Sequence, residues 1–367
     1  MHGDQGLSDG GIWHPTGRGT VVMRAAYASI EQRGARLARL APAPLRLPPG
    51  YGAATLDPAL FRLCDVVALP TPGDWRFLTG DGHLVLGGVA VWPAKPAGAL
   101  NPGAPLEERV FHVELEGMPA AVEEECLWLG GPSPANYYHW VIDTLPRLLA
   151  LRACEELWEG RRLLACAALA GYMRESLDLL GVPMDALLPV AGPTWLRSVC
   201  VVSNLSSYGY VHPVALAALR NAFLPLVGGE DGGDGEGRRI LVLRGDAARR
   251  RLRNEAEVAA WAASRGFAAV SLAGMGFLEQ VRLFRRARIV LGAHGAGLTN
   301  LAWAPPERCA LIELTSGAPS LNHFQRLAGR LRIPYRRVAA AGAADRDADF
   351  TADLDALECA LAGVEGG

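Results

Sequence analysis

From residue 239 onward the sequence alternates between apolar runs too short for helices and segments of helical spacing. That alternation restricts the fold more than any other feature. RILVL at 239–243, FAAVSL at 267–272, RIVL at 288–291 and CALIEL at 309–314 read as strands; 254–265, closed by Gly266, and 276–286 carry helical spacing. Strands linked by helices lie parallel, with helices on both faces, and such sheets bind ligands beyond the carboxyl ends of their strands. Three places meet that condition: Arg244 onward, Gly292 onward, and Glu313.

A chain of 367 residues exceeds what one compact core usually holds. The run GGEDGGDGEG at 228–237 cannot bury apolar surface, so it reads as a linker between an N-terminal domain, 23–227, and a C-terminal domain, 238–367. Residues 1–22 are polar and Gly-rich, a flexible tail. Between 60 and 129 the chain shows short β-like runs, among them HLVLGGVAVW and ERVFHVELEG. Helical spacing starts at Pro134 and continues to about 159; RRLLACAALA, a helix over 172–180 and SVCVVSN complete this half. Segment 23–47 sets Arg24, Arg33, Arg36 and Arg39 among apolar residues, which reads as a helix with a solvated basic face. The same pattern allows peripheral contact with a membrane surface.

A formal charge of −2 gives no basic field for nucleic acid. Seven scattered cysteines contain no CxxC pair, which points to isolated thiols in a reducing cytoplasm rather than a zinc site or a disulfide framework. The N-terminus has no apolar core of a signal sequence, and no run is long and apolar enough to span a bilayer. The tail does hold Gly6-Leu7-Ser8-Asp9-Gly10, a G-x-S-x-G match. Neither a strand before it nor a helix after it supports a hydrolase nucleophile.

Three constellations carry chemistry. The first is Gly292-Ala293-His294-Gly295-Ala296-Gly297-Leu298-Thr299-Asn300, between a strand and an expected helix. Its glycines let backbone approach a ligand, the helix start favours an anion, and an imidazole there can donate to phosphate or sugar oxygen. The spacing is G-x-x-G-x-G, so a dinucleotide-dependent oxidoreductase is disfavoured. The bland alternative is a turn that needs glycine only for packing.

The second constellation follows Ser133 and Pro134, an N-cap and first-turn pair. Helical spacing sets Asn136, His139, Asp143 and Arg147 on one stripe beside Tyr138, and Pro146 is expected to kink or end the helix. A polar stripe in an apolar helix lines a cleft, or else ties the domain together through a buried His–Asp hydrogen bond. The third is the arginine-rich stretch from Arg244 to Arg253, where Arg244 and Arg251 are the phosphate candidates and the remaining arginines read as solvated. Glu313, ending CALIEL, offers a carboxylate for ribose or sugar hydroxyls.

NYYHWVIDTLPRLLAL, LRGDAARRRLRNEAEV, the Glu279-Gln280 pair before LFRRARIV, and LGAHGAGLTNLAWAPP followed by LIEL together resemble glycosyltransferase family 61. Bacterial members of that family resemble capsular-polysaccharide biosynthesis proteins. The resemblance implies a GT-B-like α/β fold of two Rossmann-like domains facing a central cleft. It also implies an inverting, metal-independent transfer from a nucleotide-sugar donor to a glycan or related hydroxyl acceptor, with no further cofactor. Leu243 stands where members often carry Ser, which removes one hydroxyl contact.

On that reading Asp143 or His139 is the catalytic base. Arg244, Arg251, Gly292, His294, Gly295, Ala296, Gly297, Asn300 and Glu313 hold the donor, while Asn136, Tyr138 and Arg147 line the acceptor side. The expected setting is the cytoplasm, with peripheral contact at the inner membrane face. The rival from another class is a non-catalytic nucleotide- or sugar-binding protein on the same fold.

Overall fold

The computed structural model describes residues 20–40, 45–46, 55–71, 74–86, 110–116, 119–130, 135–166, 168–203, 205–207, 209–228, 238–245, 249–317, 322–340, 345 and 347–366. The tail motif at 6–10, the Ser133–Pro134 pair and nearly all of the 228–237 run lie outside them. The chain divides into two compact units: Met1–Ala135, Asp143–Leu169 and Pro183–Leu205 form one, and Asn136–Ile142, Ala170–Val182 and Ser206–Gly367 the other. The second unit therefore starts well before 238 and recruits two short stretches from the N-terminal half.

The first unit is built on a ten-stranded sheet of β1 (Thr20–Ser29), β2 (Ala35–Arg39), β5 (Ala59–Thr71), β6 (Asp74–Thr79), β7 (His83–Leu86), β8 (Val110–Glu116), β9 (Ala120–Trp128), β10 (Arg162–Cys166), β11 (Leu187–Val190) and β12 (Thr194–Ser203). A separate two-stranded piece joins β3 (Leu45–Arg46) to β4 (Thr55–Leu56). The main order is β11-β10-β9-β12-β5-β6-β7-β1-β8, with β2 also on β5. Antiparallel pairing of β12 with β5 and of β5 with β6, beside parallel β9–β10 and β10–β11, makes the sheet mixed. The α/β, GT-B-like expectation is met in its coarse form, and the sheet of this unit is mixed, whereas that of the second unit is all-parallel. Its core gathers Phe61, Leu63, Phe77, Trp128, Leu164, Val199 and Val201. Central β12 is buried on both sides over 199–203, which explains its unbroken VCVVS run.

The described residues of 23–47 hold strands and one short helix, Ile30–Arg33, in place of a basic amphipathic helix. Three of the arginines counted there are ion-paired: Arg33 with Asp81 at 2.6 Å, and Arg36 and Arg39 with Asp57 at 3.0 Å each. Strand pairing satisfies the backbone there, and local acids take up the charge of these three arginines. No helix among the described residues is long and apolar enough to cross a membrane.

The polar stripe after Pro134 is also redrawn. Tyr137–His139 is α-helical, Trp140–Thr144 is a π-helix, and α-helix resumes over Leu145–Arg152. The wider turn before Pro146 removes the clash and the missing-donor penalty a proline imposes on a preceding α-turn. Pro146 accordingly sits in the first turn of a new helical segment instead of ending one.

The second unit carries the sheet the sequence announces. Beside a small β13–β14 hairpin (Ser206–Ser207, Tyr210–Val211), its strands are β15 (Arg238–Val242), β16 (Phe267–Val270), β17 (Ala287–Ala293), β18 (Ala310–Thr315) and β19 (Tyr335–Ala339). They run in the order β16-β15-β17-β18-β19, parallel throughout. Central β18 is buried along its whole length, as a strand covered on both faces should be. Helices Glu255–Ala263, Phe277–Arg285, His323–Leu331 and Leu354–Glu365 connect or follow the strands. Gly266, at φ 74°, takes the left-handed conformation that ends the first of these. Leu241, Val258, Ile289, Leu291, Ile312, Leu314 and Leu357 belong to one core cluster.

Candidate functional site

Strand register in the second unit puts four residues side by side across the sheet: Val242 opposite Gly292, Gly292 opposite Glu313, and Glu313 opposite Arg337. The chain leaves β15 and β17 just beyond this line, at the carboxyl edge where parallel sheets bind ligands. A cavity of about 360 Å³ opens there, lined by Asn136, Arg244, Arg249, Arg250 and the backbone turn Gly295–Ala296–Gly297. Three guanidinium-bearing residues around a concave, glycine-walled space suit an oxyanion with several acceptor atoms.

Each glycine of the turn answers a specific space requirement. A Cβ on Gly292 would stand 3.1 Å from Leu298 and 3.2 Å from Val242, and one on Gly297 would reach 2.9 Å from Leu272. Those two permit close apolar packing. A Cβ on Gly295 would overlap the Arg244 guanidinium itself, so the glycine leaves room for that side chain at the cavity wall. Arg244 is further fixed by a 2.7 Å bond from its backbone N–H to Glu255 Oε1 and a 3.1 Å bond from Nη2 to the Arg249 carbonyl. The segment following Gly295 is a 3-10 helix, Ala296–Trp303, where an α-helix was expected.

Arg251 is not among the cavity residues. It is largely exposed, and its Nε donates to Asp349 at 3.2 Å while its backbone N–H donates to the same carboxylate at 2.8 Å. Backbone bonds in both directions between 251–253 and Phe350 turn the loop, and Arg249 and Arg250, not Arg251, are residues of the cavity lining, with Arg249 Nη1 also donating to Asp347 at 3.3 Å. Arg250 adopts a left-handed φ of 57° and lies 3.6 Å from Asp347. The arginine run pointed to this loop, but which arginine faces in depends on contacts about a hundred residues away.

His294 and Glu313 meet at 2.5 Å between Nδ1 and Oε1, and Tyr335 donates to the other carboxylate oxygen at 2.6 Å. Glu313 is fully buried and His294 is 6% exposed. Both carboxylate oxygens are therefore committed inside the protein, which corrects the reading of Glu313 as a direct partner of ribose or sugar hydroxyls. Its work is to orient the imidazole, a role typical of a carboxylate behind a functional histidine. Burial, and next to it the Glu313 charge, pushes the Tyr335 phenol above its ordinary pKa, so it stays a donor. The His294 ring packs against Phe324, with centroids 5.0 Å apart, and lies 6.1 Å from His323.

Asn300 is a structural hub. Its Oδ1 accepts from Tyr137 at 2.6 Å and Trp303 at 3.1 Å; its Nδ2 donates to Gln280 at 2.8 Å and to the Gly297 carbonyl at 3.1 Å. A primary amide makes four such bonds, and all four are filled by protein, so Asn300 is corrected from a ligand contact to the anchor of the glycine turn. Burial pushes the Tyr137 phenol above its ordinary pKa and keeps it protonated. Gln280, already notable in the Glu279-Gln280 pair, passes the network on to the Met275 carbonyl. Glu175, which the sequence did not single out, accepts from the N–H groups of Phe277 and Leu278 at 2.6 and 3.0 Å and caps the next helix.

The expected acceptor-side residues divide. Asn136 is exposed, lines the cavity, and caps its helix by accepting from the Tyr138 N–H at 2.9 Å. Tyr138 is buried edge-on against His139, His323 and Phe324, a packing position. His139 is half-buried in the second unit. Asp143 and Arg147 belong to the first unit, both buried. There Arg147 donates to the Gly130 carbonyl at 3.0 Å with its guanidinium 4.9 Å over the Trp128 ring, an internal tie.

The model of a family described as Glycosyltransferase 61 matches residues 137–311. The chain is also similar to Beta-1,2-xylosyltransferase RCN11 of Oryza sativa subsp. japonica, 33% identical over 82 residues. That stretch covers 22% of this chain and 15% of the relative, so the chain matches only a small part of that protein's length. The matched segment runs from Tyr137, at the start of the aromatic helix, through the glycine turn and into β18, where Leu311 lies two residues before Glu313. Over residues 137–311 the chain is therefore similar to glycosyltransferase family 61.

Proposed function

We propose that this chain is an inverting, metal-independent glycosyltransferase that receives the diphosphate of a nucleotide-sugar in the cavity bounded by Arg244, Arg249, Arg250 and Gly295 and passes the sugar to a hydroxyl of a glycan acceptor. One observation carries the reading: a glycine whose side-chain space is taken by an arginine guanidinium, at the carboxyl edge of a parallel sheet. An acceptor O–H gives its proton to a base, the oxygen forms a bond to the anomeric carbon, and the bond from that carbon to the phosphate oxygen breaks. The nucleoside diphosphate leaves with the electron pair, its charge held by guanidinium groups. The proposal extends to a role in surface-polysaccharide assembly, which rests on the resemblance of the four motifs to glycosyltransferase family 61 and on nothing further.

For the base, His139 is supported by its position one helical turn beyond Asn136, which lines the cavity. Asp143 is the other candidate. His139→Ala and Asp143→Asn are expected to lose turnover while retaining donor binding. Near-normal turnover in both would remove the assignment.

The reading as a whole is tested by thermal shift against UDP-, GDP-, ADP- and CMP-linked sugars, followed by transfer or donor hydrolysis in the presence of a chelator. A tight donor stabilises only the folded state, by roughly 2.7 kcal/mol at a hundred times its Kd. Stabilisation without turnover under any acceptor would leave a nucleotide-sugar binding protein. Activity abolished by chelator and restored by a divalent cation would overturn the metal-independent mechanism.

A further inference from the structure

A second cavity in the same unit, of about 660 Å³, is lined by Arg220, Asn221, Leu224, Pro225, Gly228 and Arg285. Its two arginines come from different helices, Pro213–Phe223 and Phe277–Arg285. Each is anchored through one terminal nitrogen. Arg220 Nη1 donates to the carbonyls of Ala302 and Ala304 at 2.5 and 2.9 Å, and Arg285 Nη1 donates to the Leu224 carbonyl at 2.5 Å. Those anchors hold the guanidinium planes and leave further N–H donors on each, since a guanidinium carries five.

Among the described residues no carboxylate forms an ion pair with either arginine, whereas the half-buried Arg62, Arg161, Arg239, Arg250 and Arg265 each have one. Two like charges have thus been brought to one cavity that no carboxylate among the described residues lines. Burial, and after it the charge of Arg285, draws the Arg220 pKa below its ordinary value, which reports the same pair. Carbonyl anchors offset part of the cost but carry no net charge. A tetrahedral oxyanion, with several acceptor oxygens, would bridge both guanidiniums and remove their repulsion.

We propose that Arg220 and Arg285 form an anion site, separate from the Arg244 cavity, that takes a phosphate group. The phosphate is either free in solution or the headgroup of a lipid. Leu226, 43% exposed on the turn that walls the cavity, stands where a lipid-borne phosphate would bring apolar surface. This inference does not rest on the transferase reading.

Asn221 supplies a gentle test, because it lines the cavity, is exposed, and makes neither carbonyl anchor. Wild type, Asn221→Asp and Asn221→Lys are titrated with inorganic phosphate by calorimetry and with phosphatidylcholine vesicles containing or lacking phosphatidic acid by co-sedimentation. Unfolding curves check that all three proteins are folded. Asn221→Asp sets a carboxylate beside the arginines and is expected to weaken binding about tenfold, whereas Asn221→Lys strengthens it. The Arg244 cavity is common to all three proteins, so the difference between variants isolates this one. Opposite shifts with inorganic phosphate identify a soluble phosphate ligand; opposite shifts with phosphatidic acid vesicles alone identify a lipid headgroup. If neither probe distinguishes the two variants, the proposal is overturned.

Discussion

Tyr137 donates a 2.6 Å hydrogen bond to Asn300, joining the aromatic helix to the glycine turn across 163 positions of sequence. The acceptor is the amide whose remaining three bonds hold Trp303, Gln280 and Gly297. Two motifs that read as separate ligand contacts are thus parts of one scaffold, and the scaffold sets the cavity wall. Tyr137→Phe is expected to cost about 1–2 kcal/mol in chemical denaturation, the price of one missing donor. Asn300→Leu strands partners on four sides and should cost about 3 kcal/mol or more. A smaller loss for Asn300→Leu than for Tyr137→Phe would contradict the hub.

Gly295 and Arg244 occupy shared space, and the coupling between them is measurable. Gly295→Ala should push the guanidinium out of position and weaken diphosphate binding about tenfold, with little change in melting temperature. Arg244→Ala should do the same, and the double variant should lose little more than either single one. Additive losses in calorimetry would show that the glycine acts through something other than Arg244.

The loop after β15 makes a discriminating comparison. Arg251 is expected to be silent, so Arg251→Ala should leave donor affinity within about twofold, consistent with an exposed pair to Asp349. Arg250→Gly removes a cavity charge while accepting the left-handed backbone at that position, and should weaken binding. The reverse ranking would mean that the loop reorganises around the ligand.

Behind His294, the Glu313 carboxylate fixes which ring nitrogen carries the proton. Glu313→Gln keeps the shape but loses that control. It is expected to lower turnover by roughly 10²-fold, with a smaller effect on melting temperature, and to change the His294 tautomer in nitrogen NMR. Tyr335→Phe leaves one buried carboxylate oxygen without its donor and should destabilise by about 1–3 kcal/mol.

In the first unit, Glu125 accepts from Arg62 at 2.5 Å, Arg161 at 2.7 Å and Ser198 at 2.9 Å. Burial alone would raise its pKa, but the bonds from Arg62, Ser198 and Arg161 outweigh it and hold the carboxyl below the usual range. A lowered folded-state pKa stabilises above the unfolded value, near 4.3, and the gain is lost as pH falls through the folded value. Glu125→Gln should therefore cost about 1–3 kcal/mol at pH 7 and flatten the acid limb of the stability profile. Urea unfolding between pH 3 and 7 checks both parts.

The beginnings and ends of elements in the second unit were legible because the signals are local. Apolar runs such as CALIEL mark the buried strands, Gly266 stops a helix, and helical spacing over 276–286 marks an amphipathic face. Periodicity could not show the π-helical segment before Pro146 or the 3-10 geometry after Gly295, since both differ from an α-helix in hydrogen-bond register rather than in residue type. Segment 23–47 was read as helical because its arginine spacing fits one; strand partners and the acids Asp57 and Asp81, up to fifty residues away, decided otherwise.

By itself, then, the sequence determined the parallel sheet of the second unit, the glycine-rich turn at the end of β17 and the family to which residues 137–311 are similar. Only the tertiary structure decided what each polar residue of that turn does. Glu313 and Asn300 looked like ligand contacts while their hydrogen-bonding groups were uncounted, and became scaffold once Tyr335, Tyr137, Trp303 and Gln280 filled them. The physical reason is that a buried polar group must be satisfied, and the partners that satisfy it are chosen by folding, from anywhere along the chain.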